Sequence, residues 1–223
     1  MTKSEYIQHW NYFCSLAANL NETKDYVYHG VDTSLLPEIK LVHGKVYSDR
    51  FKQIILLTAA EFEVMCKALC ISKGKRVEKI IDISENVLNL FPRIINTEVI
   101  TLFWQGKPLK NWELNDEKHV EGIEWWQAYN DLKHSKVGSY ANATLHQAVM
   151  ALACLYIINL YAMVEFCGDM DMAQEYPNCY FRSKYINENA VIGGGLLPDY
   201  GDKAAGEDLW AKWGSITSKD KQG

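Results

Sequence analysis

The part of the sequence best equipped for chemistry is the stretch at residues 124–136. If it is a helix, Trp126, Asn130 and His134 lie four residues apart and therefore on one face. An indole, an amide and an imidazole would then share one short surface. A second interpretation is purely structural: the tryptophans anchor the helix, and its polar end contains a histidine that only satisfies backbone groups.

The same stretch carries the groups that RNA cleavage without a metal requires. Such cleavage needs a base for the 2′-hydroxyl proton and a cation that holds the phosphate, and histidine titrates near neutral pH. We therefore assign His134 as the candidate acid or base, and Lys133 or Lys136 as the candidate cation. Asn130 would position the imidazole or the scissile phosphate. Tyr129, in a second row beside Lys133, would donate to the developing charge.

Glu61 is the candidate partner for this site from another helix. Its helical neighbours are nearly all apolar, and a carboxylate in such surroundings needs a donor because an unpaired buried charge is very costly. We predict that Glu61 faces the row of Asn130 and His134 and holds the imidazole. The alternative is that Glu61 reaches solvent at the edge of the apolar stripe. By contrast, Glu63 and Lys67 have the spacing of an ordinary surface ion pair.

Three stretches resemble the HEPN-like superfamily of all-α domains from prokaryotic defence and toxin systems. They are Trp-Trp-x-x-Tyr-Asn-x-Leu-Lys-His-x-Lys at residues 125–136, Tyr-Phe-Cys-Ser-Leu at 12–16, and Glu61-Phe62-Glu63 followed by Lys67. The three stretches occur along the chain in the order that the superfamily has, and the resemblance covers roughly residues 5 to 165. The resemblance implies an all-α helical bundle, and it implies a homodimer in which the sites of two subunits lie together.

The resemblance leaves the activity open. Nucleolytic members carry an Arg-x4–6-His motif, and His134 would supply its histidine, but Tyr129 stands five positions earlier and Ala128 six. One expectation is a module that senses or acts on RNA or nucleotides, and that is a metal-independent endoribonuclease if it is active. The other is a non-catalytic interaction or regulatory module with a partner protein, such as a toxin–antitoxin component.

Composition narrows these functions further. The chain has 223 residues, of which 48% are hydrophobic and 23% charged, as in ordinary globular proteins. A net charge of -5 argues against bulk affinity for long nucleic acids. The six cysteines have apolar neighbours and are expected to be reduced thiols, and we expect no metal and no cofactor. The polar N-terminus has no pattern of a signal peptide, which predicts a cytoplasmic protein.

The hydrophobic pattern predicts five helices. They run from Glu5 to about Val27 with Ser4 as cap, from Ser48 to about Ile71, from Val77 to Phe91, from near Gly122 to His134, and from about Leu145 to Phe166. The core stripe of the first helix would be Tyr6, Trp10, Phe13, Leu16, Ala17 and Leu20, with His9 in solvent. An irregular insertion precedes the fourth helix, and Trp104 and Trp112 would seat it on the bundle.

The predicted domain boundary is the end of the fifth helix at Gly168. Residues 1–168 would form the bundle, and residues 169–223 a C-terminal extension that packs on it and is frayed at its end. The fifth helix is apolar on nearly all sides from Ala148 to Val164, which approaches the length that spans a membrane. We predict the centre of a soluble bundle instead, because the run is short and no Lys or Arg flanks it closely.

Overall fold

The computed structural model describes residues 1–32, 39–115, 117, 119–134, 137–168, 178 and 180–183. Within this part the chain is mostly helical, so the predicted all-α class is confirmed at that level, while the HEPN-like assignment stays a prediction. The glycine run at residues 193–195, Lys136 and nearly all of the predicted C-terminal extension lie outside the described residues.

Five α-helices carry the described fold. Their bounds are α1 Lys3–Glu22, α2 Asp49–Ser72, α3 Ile80–Leu90, α4 Glu124–Lys133 and α5 Leu145–Cys167. Short 3₁₀ turns follow α1, α3 and α4 at Thr23–Asp25, Ile94–Asn96 and Ser139–Asn142. Each helix overlaps the one that periodicity predicts, and the largest boundary error is at α1, which ends five residues earlier than expected.

Helix ends form where short polar side chains or glycine satisfy the free backbone groups. The hydroxyls of Ser48 and Thr144 accept hydrogen bonds from the amides of Phe51 and Gln147, which fixes the starts of α2 and α5. Gly168 ends α5 with a left-handed φ of 88°. The start of α1 was predicted wrongly: Thr2, not Ser4, is the cap, and it forms a reciprocal capping box with Glu5.

The core is built around α5, which is buried along nearly its whole length. Helices α1, α2 and α4 all pack against it. The predicted stripe of α1 is confirmed, since all six of its residues are buried. The most apolar window of α5 has a mean hydropathy of 1.9 and is long enough to cross a membrane, but 83% of that window is buried inside the protein, as in the core helix of a soluble protein.

The irregular insertion between α3 and α4 forms two small hairpins. β1 (Val99–Ile100) pairs with β2 (Gln105–Gly106), and β3 (Glu113–Leu114) pairs with β4 (Val120–Glu121). Both predicted wedges, Trp104 and Trp112, are buried. The Trp112 indole donates a hydrogen bond to the Ser84 hydroxyl at 3.1 Å, which ties the second hairpin to α3.

A short segment beyond α5 returns to the bundle at residues 180–183. Arg182 forms an antiparallel bridge with Ile100. Phe181 is buried against the rings of Phe13 and Tyr156. The adjacent Tyr180 hydroxyl lies 2.6 Å from Nδ1 of the buried His29. These contacts close one side of the α1–α5 interface.

Candidate functional site

Helix α4 is held in place by its two tryptophans. Trp125 and Trp126 are buried and both lie against Phe62 of α2, with ring centroids at 5.2 Å and 6.2 Å. The Trp125 indole also donates to Sγ of Cys154 on α5 at 3.3 Å. Trp126, a predicted supporting residue, is therefore a packing residue that fixes how α4 lies on the bundle.

Tyr129, which stands five positions before His134, is buried. Its ring lies 5.0 Å from that of Trp126, and Nζ of Lys133 lies 5.3 Å from its centroid. This is a cation–π contact between the two residues of the predicted second row. The ring thus fastens Lys133 to the helix surface.

The remaining predicted residues of α4 lie at its carboxyl end. Asn130 is half-buried, whereas Lys133 and His134 are exposed. His134 is the C-cap residue, and its amide donates to the carbonyl of Asn130 at 3.1 Å. The free carbonyls at a helix C-terminus carry partial negative charge, which favours a cation such as Lys133 in the last turn.

Asp131 connects α4 to the chain that follows it. Its carboxylate accepts from the Gln127 amide at 3.0 Å and from the Asn142 amide at 3.3 Å. The first bond spans one helical turn, and the second fixes the 3₁₀ turn before α5. The hydrogen bonds of Asp131 therefore hold the exposed carboxyl end of α4, which carries His134, against the turn before α5.

Glu61 is buried, with 7% of its surface exposed, and it holds an imidazole as predicted, but not that of His134. Oε1 of Glu61 lies 2.6 Å from Nδ1 of His9 on α1. The predicted pairing with Asn130 and His134 is wrong because the Glu61 carboxylate points to α1, whereas the next residue, Phe62, packs on α4. His9, expected in solvent, is half-buried.

Tyr12 completes this second cluster. Partial burial, together with the charge of Glu61, raises the pKa of Tyr12. His9 and Tyr12 are three residues apart on α1, which places both on the side that faces α2. A signal for His9 was present in the sequence, because a helical histidine next to the core stripe is a suitable donor for a buried carboxylate.

The structure therefore groups the predicted residues in two places. Asn130, Lys133, His134 and Tyr129 share the end of α4, and Glu61 belongs with His9 and Tyr12 between α1 and α2. Among the described residues, no group of three or more His, Cys, Asp or Glu side chains is placed to hold a metal ion. Comparison of the chain with protein-family models, curated proteins and solved structures gives no match.

Proposed function

We propose that the protein is a HEPN-like helical module that senses or acts on RNA or a nucleotide through the exposed carboxyl end of α4. The observation that supports this proposal is the exposure of the His134 side chain next to the exposed ammonium of Lys133. A phosphate group has access to both. The family resemblance implies a defence or toxin–antitoxin setting and a homodimer.

The proposed chemistry of the active form is metal-independent cleavage. His134 would take the 2′-hydroxyl proton, and Lys133 would hold the phosphate while the Tyr129 ring keeps its chain in place. An ammonium binds phosphate as a point charge and lacks the planar fork of arginine, so the expected activity is low. Since the Glu61 carboxylate pairs with His9, it does not orient the His134 ring.

The experiment is incubation of the purified chain with labelled tRNA in EDTA. Cleavage that is lost in His134→Ala, and kept in the exposed-histidine control His43→Ala, is the expected result for an active enzyme. A thermal shift with nucleotides tests the sensing form, since a ligand at a hundred times its dissociation constant stabilises by about 2.7 kcal/mol. If wild type and His134→Ala match in both assays, the proposal fails.

A second candidate, a non-catalytic module that acts through self-association, is favoured by the outer face of α2. Leu57, Val64 and Ile71 are 44%, 44% and 62% exposed and lie seven residues apart, which is the repeat of a coiled-coil seam. Along a helix this row is roughly 21 Å long. Exposed aliphatic groups in such a row are typical of a helix that packs on a second helix.

Size measurement by light scattering tests whether the chain associates through this face of α2. The double variant Val64→Glu/Ile71→Glu should be monomeric if a second copy of the chain covers this face of α2. Leu102→Glu is the matched control, because Leu102 is a strongly exposed apolar residue on the insertion. If the wild-type chain is monomeric at micromolar concentration, self-association through α2 is ruled out.

A further inference from the structure

A cleft lies at the other end of α4 from His134. Its volume is about 250 Å³, and four parts of the chain line it: residues 39–40, the turn after β2, the start of α4 and the first turns of α5. Glu124 and Lys133 are the first and last of the ten residues of α4, and nine residue steps correspond to about 13.5 Å. The cleft is therefore a separate place from the proposed RNA site, with room for a small molecule.

The cleft is positively charged on an acidic protein. Lys40, Lys107 and Lys110 line it, against one carboxylate, that of Glu124. Among the described residues, neither Lys107 nor Lys110 forms an ion pair. With a net charge of -5 over the whole chain, such a local excess of ammonium groups needs a reason, and an anionic ligand supplies one.

His146 forms part of the same wall and is neutral near pH 7. Burial lowers its pKa, the charge of Glu124 acts in the opposite direction, and the charge of Lys40 lowers it further. Glu124 and Lys40 line the cleft together with His146. A neutral imidazole can donate one hydrogen bond and accept another, which suits a ligand that carries hydroxyl groups.

Gln147 supplies an acceptor that has no partner. Its side-chain carbonyl oxygen is buried and receives no hydrogen bond within the described part of the chain. A buried acceptor without a hydrogen bond is unfavourable, because it has lost its water without gaining a donor. Gln147 lines the cleft, so a rotation of its side chain would let this oxygen accept from a hydroxyl or amino group of a bound molecule.

The wall opposite α5 is fixed by the close approach of two chain segments. Gly122 has a φ of 77°, and a Cβ atom placed there would lie 1.7 Å from the backbone oxygen of Asn111. Both residues line the cleft. Only glycine allows this contact, so the position of the lysine-bearing turn depends on packing and not on a ligand.

We propose that this cleft binds a small phosphorylated molecule that carries hydroxyl groups, with its phosphate at Lys107 and Lys110 and a hydroxyl or amino donor at Gln147. Ammonium groups bind phosphate through charge-assisted hydrogen bonds, and the amide selects for a donor on the rest of the ligand. Nucleoside monophosphates and sugar phosphates have this chemistry, and so does the 5′-phosphorylated end of an RNA strand.

The test is isothermal titration of the full chain with ribose 5-phosphate, AMP and inorganic phosphate, and with ribose as the unphosphorylated control. We expect the phosphorylated sugars to bind and ribose not to bind. Lys107→Glu/Lys110→Glu should weaken binding by about tenfold or more. Lys3→Glu/Lys75→Glu makes the same change of charge at two exposed lysines elsewhere and should have no effect.

Three further arms make the result specific. Lys107→Gln/Lys110→Gln replaces the charge reversal if that variant does not fold. Gln147→Leu should weaken ribose 5-phosphate and leave inorganic phosphate unchanged. A 5′-phosphorylated trinucleotide separates the two sources of the ligand: tighter binding than AMP, with the same lysine dependence, assigns the cleft to RNA ends, and weaker binding assigns it to a free metabolite.

Two outcomes would overturn the proposal: no binding of any phosphorylated probe at millimolar concentration, or binding that both lysine variants leave unchanged. His134→Ala should bind the probes like wild type, since His134 lies at the other end of α4. Failure of RNA cleavage at His134 therefore leaves the cleft unaffected, and the two proposals fail separately.

Discussion

The carboxylate of Glu61 and the imidazole of His9 are 2.6 Å apart and join α2 to α1. The carboxylate is almost fully buried and its partner only partly, so the pair lies at the edge of the core. Removing only one member of a buried pair is more costly than replacing both members by apolar groups of similar size, because the remaining member is left without a partner. Single and double substitutions can therefore measure how much this hydrogen bond contributes to the stability of the fold.

We predict that His9→Ala lowers the free energy of unfolding by about 1–3 kcal/mol at pH 7, since it leaves the Glu61 carboxylate buried and unpaired. Glu61→Leu should cost less. Urea denaturation of both single variants and of the double variant gives the coupling energy. The control is Lys67→Ala, which breaks the more exposed pair with Glu63 and should cost about 0.5 kcal/mol. Additive effects of the His9 and Glu61 variants would show that their contact contributes nothing.

A second prediction concerns acid stability. Burial, and to a smaller extent Lys24, lowers the pKa of His29 to about 4. Its nitrogens lie 2.9 Å from the Thr23 hydroxyl and 2.6 Å from the Tyr180 hydroxyl. The unfolded chain takes up the proton near pH 6.5, but the folded chain does so only near pH 4. Stability is therefore complete above the unfolded pKa and is lost as the pH falls through this window.

The expected loss between pH 7 and pH 4 is on the order of 2 kcal/mol from His29. Thermal unfolding in a series of buffers measures it. His29→Gln should reduce the change of melting temperature with pH. His43→Gln, which changes an exposed histidine, should leave that pH dependence as it is in wild type. Part of the pH dependence of the melting temperature should remain in His29→Gln, because burial also lowers the pKa of His146. If the melting temperature of His29→Gln depends on pH as strongly as that of wild type, another group controls acid unfolding.

Much of this fold follows from local rules that the sequence obeys. The spacing of Tyr6, Trp10 and Phe13 predicts the buried face of α1. Asn142 or Thr144 was the expected cap of α5 and Gly168 its expected end, and the structure has Thr144 and Gly168, because capping depends only on near neighbours. The hairpins of the insertion were not predicted, since strands of two residues have no measurable period.

The site was predicted only in part, for a related reason. Apolar neighbours show that Glu61 needs a donor, but the donor lies 52 residues away in the chain, and packing decides between His9 and His134. The lysines of the cleft were missed altogether. Lys40, Lys107 and Lys110 come from two separate segments with no shared motif, and only the folded chain brings them together.

A third prediction concerns the buried Tyr129. Tyr129→Arg should destabilise the protein by about 2 kcal/mol or more, because it places a guanidinium in the buried position between Trp126 and Lys133 and next to a like charge. Tyr129→Phe keeps both ring contacts and should stay within about 0.5 kcal/mol of wild type. Melting temperatures of the two variants measure this. A stable Tyr129→Arg protein would mean that this buried position tolerates an arginine.

The last prediction concerns the segment that returns to the bundle after α5. Phe181 is almost fully buried, and its ring centroid lies 6.2 Å from that of Phe13 and 5.9 Å from that of Tyr156. Phe181→Ala should cost about 3–4 kcal/mol, because it removes these contacts and leaves a cavity. Leu102→Ala, at a strongly exposed apolar residue of the insertion, should cost little.

Urea denaturation of the two variants gives their free energies of unfolding. Hydrogen exchange of the α1 amides shows which part of that helix is destabilised. We expect faster exchange around Phe13 in Phe181→Ala, since that residue loses a packing partner from outside the helices. If Phe181→Ala is as stable as Leu102→Ala, the segment at residues 180–183 contributes nothing to the core, and the aromatic contacts of α1 with α5 stabilise this side of the bundle without it.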